Sequence, residues 1–88
     1  MTDPTQDKTA LEKSRDIIVQ LKDMLHYSKT NIEKVTEFWL LLEGEMKQKK
    51  MAKKFEPLLT HQNAFHDALA AVVTDYEAEC DRMEKKGP

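Results

Sequence analysis

The chain has 88 residues, 40% of them hydrophobic and 34% charged, with a formal charge of −2 that gives no reason to expect nucleic acid as a partner. A single domain of this size buries only about 60 to 65% of its extended-chain surface, so its core is thin and a partner or a second copy would add materially to it. One cysteine, Cys80, excludes an internal disulfide; no apolar run reaches the roughly 18 residues of a membrane span and Met1 to Thr5 shows no secretory leader, which points to a cytoplasmic setting.

Breakers are scarce. Gly44 is the only glycine before the C-terminal tail, and Pro57 is the only proline between Pro4 and Pro88. Helix is the regular structure that uses such long unbroken stretches. Steps of three and four residues from Leu11 reach Ser14, Ile18, Leu21, Leu25, Ser28, Ile32, Val35, Trp39, Leu42 and Met46, and all but the two serines are apolar. That is a coiled-coil period. Strand alternation fails, because Ile17-Ile18-Val19 and Phe38 to Leu42 are continuous apolar runs.

The one polar interruption is Tyr27-Ser28-Lys29-Thr30-Asn31, where Thr30 and Glu33 have capping-box spacing. The unchanged heptad phase from Leu25 to Ile32 argues instead for a helix that continues or bends. Residues 26–31 therefore stand as either a turn or continuous helix.

Pro57 disfavours helical geometry at Glu56 and suits the first turn of a new helix. The expected turn is therefore near Phe55-Glu56. A second helix follows to about Lys85, with a stripe of Leu58, Phe65, Leu69, Val72, Tyr76 and Met83, widened by Leu59, Ala68, Val73 and Cys80 and interrupted by Gln62. Folding about Pro57 sets Leu42 against Val72, Trp39 against Tyr76 and Val35 against Cys80. The predicted fold class is thus all-α, an antiparallel helical hairpin turning near Pro57. Residues 8–29 form either a third bundle helix or an extension of the first long helix. Residues 1–88 make one helical domain, with 1–6 and 86–88 expected to be disordered.

Phe38 to Leu42 is apolar nearly all round a helix and must be contacted from more than one side. It fits the widest layer of a bundle or an interface anchor. Leu11, Ile18, Leu21, Leu25, Phe38, Trp39 and Leu42 are the candidate partner-binding residues. Charge is uneven: eleven basic against nine acidic residues through Lys54, then three against seven. Lys47, Lys49, Lys50, Lys53 and Lys54 form a basic patch, read either as cations complementing a helix C-terminus or as a site for anionic lipid, nucleic acid or an acidic partner, the first being favoured because no arginine accompanies the lysines. Asp75, Glu77, Glu79, Asp81 and Glu84 read as a solvated face, or as one opposing the lysine-rich end of a second copy.

No catalytic or metal-binding residues are expected. His61 and His66 are five apart and diverge around a helix, so they do not make the pair that a helical zinc site uses. Cys80 lies between Glu79 and Asp81, whose charge opposes a thiolate. No phosphate-cradling glycine loop is present, and no cofactor is expected. The expected function is a non-enzymatic helical interaction module, a subunit or regulator in a helical assembly, with a protein partner or self-association through apolar helix faces. The alternative is an amphipathic helical protein that binds a membrane surface.

Overall fold

The computed structural model describes residues 9–85, which form two helices, α1 (Ala10–Glu43) and α2 (Lys49–Lys85). They lie antiparallel as a hairpin, and its Cα extents are 63 × 26 × 14 Å. The all-α class and the hairpin are as the heptads predict. Residues 10–29 belong to the first long helix, one of the two outcomes left open above. The terminal segments 1–6 and 86–88 lie outside the described residues.

Helix α1 starts at a capping box. Thr9 Oγ1 accepts from the Glu12 amide at 3.1 Å, and the Thr9 amide donates to Glu12 Oε1 at 3.2 Å. Two orphan donors of the first turn are thereby satisfied. Thr30, with the same spacing to Glu33, does not open a helix: its hydroxyl donates to the His26 carbonyl at 3.2 Å, inside α1. Residues 26–31 are continuous helix.

The hairpin turns at residues 44–48, not at Pro57. Gly44 is the physical reason. A Cβ there would sit 3.2 Å from the Leu40 carbonyl oxygen, tighter than ordinary packing allows. The Gly44, Met46 and Gln48 amides donate to the carbonyls of Leu40, Leu41 and Leu42 at 3.0, 2.8 and 2.7 Å, closing off the end of α1. Lys47 completes the reversal with a left-handed φ of 56°. Met46, which the heptad count placed on the stripe, is therefore an exposed turn residue.

Pro57 lies inside α2, on its exposed side. An interior proline costs roughly 3 kcal/mol. Here the seam outweighs it, because Ala52 and Phe55 before it and Leu59 after it keep one heptad phase and pack against α1. The seam positions of α2 are Ala52, Phe55, Leu59, Gln62, His66, Leu69, Val73, Tyr76, Cys80 and Met83, all buried or half-buried. The expected stripe is therefore shifted by one residue at Leu58, Phe65 and Val72, which face outward.

The register follows from two cross-helix hydrogen bonds. Tyr76, expected opposite Trp39, donates its hydroxyl to Ser14 Oγ at 2.8 Å near the start of α1. Further along, His66 Nδ1 and Ser28 Oγ lie 3.2 Å apart. The two serines that interrupt the α1 heptad are thus its buried sockets for large polar-tipped residues of α2. Ala52, near the turn, is fully buried on the same seam. Small seam residues beside large ones disfavour slippage, since a shifted α2 would set Tyr76 against a full-sized neighbour. The fit leaves Trp39 Nε1 and Gln62 Oε1 buried without partners.

Two measurements check this architecture. Pro57→Ala raises the unfolding free energy by about 1 to 3 kcal/mol in urea titration, because it restores a hydrogen bond and removes a clash without touching the seam. A double-mutant cycle of Ser14→Ala and Tyr76→Phe gives a coupling energy of about 0.5 to 1.5 kcal/mol, as a half-buried cross-helix hydrogen bond should.

Candidate functional site

An antiparallel helix pair has two flanks, one on each side of its seam. In this hairpin they differ in kind. With Leu11 and Ala52 taken as position a of their heptads, one flank is formed by the e positions of both helices and the other by the g positions.

The e flank is polar. Arg15 reaches Glu84 at 2.8 Å and Asp81 at 3.9 Å, and Lys22 reaches Glu77 at 2.7 Å. All of these side chains are about half exposed, so each pair contributes little to stability and mainly favours the antiparallel register.

The g flank is apolar. Ile17, Met24 and Phe38 recur at seven-residue intervals on α1, interrupted by Asn31, and Met51, Leu58, Phe65 and Val72 do the same on α2. Leu58, Phe65 and Val72 are 45%, 53% and 49% exposed. Nine of the twelve large apolar side chains exposed among the described residues lie on this flank or on the adjoining c positions, which add Tyr27 and Leu41. By contrast, only six apolar residues among those described are buried. The flank is also poor in charge: from Pro57 to Thr74 the one formally charged residue is Asp67, which points away from it. Clustered apolar area of this kind marks an interaction surface, whereas single exposed leucines do not.

Midway along the flank is an open concavity of about 410 Å³, lined by Met24, Tyr27, Ser28, Asn31, His61, Gln62 and Phe65. Its lining draws on both helices and contains the unpartnered Gln62 Oε1. Tyr27 stands at its edge, with the His26 ring packed against it edge-on at 5.6 Å.

The candidate partner-binding residues divide. Ile18 and Leu42 are buried, and Leu11, Leu21, Leu25 and Trp39 are half-buried, all on the seam that α2 covers. Only Phe38 belongs to the exposed flank. The contact those residues require is supplied by the chain's own second helix. Leu58, Phe65 and Val72 take their place as candidates; sequence reasoning had set them in the core, although their regular spacing was visible there.

The basic patch changes its setting too. Lys47, Lys49, Lys50, Lys53 and Lys54 are exposed, but they occupy the turn and the start of α2, where cations oppose the helix dipole. The reading as C-terminal caps of a helix is overturned. Cys80 is fully buried on the seam, and His66 is half-buried there. Among the described residues no group of three His, Cys, Asp or Glu side chains is placed to hold a metal ion, and no helix is long and apolar enough to cross a membrane.

The geometry defines an elongated helical hairpin with one ion-paired flank and one apolar flank. Comparison with protein-family models, with curated proteins and with solved structures finds no match to the chain.

The contrast between flanks has a measurable consequence. Lys22→Glu lowers the unfolding free energy by no more than about 1 kcal/mol, and the loss shrinks in molar salt, since exposed ion pairs are weak and screened.

Proposed function

We propose that this protein is a non-catalytic interaction module in which the hairpin is a preformed scaffold and the apolar flank docks on a further helical surface. The observation that carries the reading is the heptad spacing of Leu58, Phe65 and Val72 beside that of Ile17, Met24 and Phe38. Seven-residue recurrence on both helices makes a straight strip parallel to the hairpin axis. Such a strip matches another helix or hairpin better than a compact ligand. Phe38, Phe65 and Tyr27 supply the aromatic anchors that dominate helical interfaces.

A lipid surface suits the strip less well. An interfacial helix keeps lysine and arginine beside its apolar face, whereas this strip runs from lysines at one end of α2 to Asp75 and Glu79 at the other. The acidic end would be repelled by anionic head groups.

Site-specific photo-crosslinking in the native host tests the reading. A photoreactive side chain at Leu58 or Val72 crosslinks to protein, while one at Lys29 or Asn63 on the opposite flank does not. Crosslinks to lipid, or equal yields on both flanks, overturn it.

A further inference from the structure

We infer that the occupant of the apolar flank is a second copy of this chain, with the two α2 helices paired antiparallel about Phe65 in a four-helix bundle. This rests on the interaction-module reading above and names its partner.

The argument is charge complementarity along α2. Its N-terminal end and the preceding turn carry five lysines and no acid between Lys47 and Lys54, its middle is almost uncharged, and its C-terminal end carries Asp75, Glu77, Glu79, Asp81 and Glu84. The lysine end opposes the helix's own dipole, whereas the acidic stretch runs into a last turn that itself carries Arg82 and Lys85. Part of the acidic end is answered within the hairpin, by Arg15 and Lys22 on the e flank and by Arg82 beside Glu79. Among the described residues, the ion pairs of Arg15, Lys22 and Arg82 do not involve the five lysines.

An antiparallel copy answers them. With Phe65 on the two-fold axis, Leu58 faces Val72 of the second copy and Phe65 faces its counterpart. On the same side of the helix, Lys54 then faces Asp75, and the lysine-rich end of each α2 lies beside the acidic end of the other, with Met51 level with Glu79. Every contact occurs twice, as a two-fold interface requires. Ala68 borders the strip near the axis and lets the two α2 backbones approach closely. The hairpin register sets Leu25 level with Phe65, so the same axis pairs α1 with its copy, bringing Met24 across from Tyr27. The two central concavities then face each other, each with aromatic side chains available to fill the other.

The rival arrangement, with α1 stacked over α2 of the second copy, sets Lys34 near Lys54. The broad face spans 63 × 26 Å in Cα extent, which accommodates the roughly 800 Å² that each partner contributes to a standard interface.

A charge swap tests the inference by analytical ultracentrifugation of the full chain. The wild-type protein sediments as a dimer at micromolar concentration. Lys50→Glu with Lys54→Glu in one chain, or Asp75→Lys with Glu79→Lys in another, weakens self-association by roughly tenfold or more while helical circular dichroism is retained. Mixing the two variant chains restores a dimer, because the facing ends are again of opposite sign. A monomeric wild type, or a mixture that fails to recover, overturns the self-pairing. A monomer that still crosslinks to another protein through Leu58 and Val72 sinks this inference alone; absence of those crosslinks as well sinks the interaction-module reading with it.

Discussion

Everything in this hairpin depends on two helices keeping one heptad phase for their whole length while facing each other. The seam is narrow, and it holds through matched sizes. Ser14 receives Tyr76, Ser28 lies beside His66, and Ala52 is fully buried near the turn. A uniform seam of leucines would slide by a heptad at little cost; these pairs exact a steric penalty for sliding. The same constraint explains the tolerance of Pro57. Once the seam fixes Phe55 and Leu59 against α1, the chain between them has no alternative path, and the proline is accommodated on the solvent side.

A two-helix seam leaves a definite remainder. Each helix buries one stripe, so whatever is apolar beside that stripe stays exposed unless a further element covers it. On the e flank the remainder is small, because Arg15, Lys22, Glu77 and Glu84 occupy it. On the g flank it is large. The asymmetry gives the hairpin an inside and an outside although both of its helices are equally exposed to water.

Much of this was legible in the residue order. The α1 heptad from Leu11 to Leu42 is clear because its neighbours at e and f are polar and those at b largely so, Val19 and Leu40 excepted. In α2 two phases compete: Leu58, Phe65 and Val72 run beside Leu59, His66 and Val73, and apolarity does not rank one above the other. Choosing the former put outward residues in the core and gave a register in which Tyr76 met Trp39. The turn was misplaced for a related reason. Pro57 is the stronger local breaker, whereas Gly44 acts through a close approach to the Leu40 carbonyl that only the folded backbone reveals. The start of α1 was readable, since Thr9 and Glu12 carry the same capping signature as Thr30 and Glu33. What separates the two sites is position, because at Thr30 the apolar phase runs through the signature without a break.

The competition between the two phases of α2 is itself informative. A helix that needs only one partner has little reason to carry two apolar columns side by side, because the outer one adds aggregation risk without adding to the seam. Leu58, Phe65 and Val72 at strict seven-residue spacing are therefore best understood as a second seam waiting for its own opposite column. Charge narrows what that column is. Lysines at the start of α2 are unfavourable for an isolated helix, and in the self-pairing proposed above they and the acids from Asp75 onward meet on a helix of reversed polarity with the same pattern. The chain contains such a helix in α2 itself, so one sequence supplies both the surface and its complement.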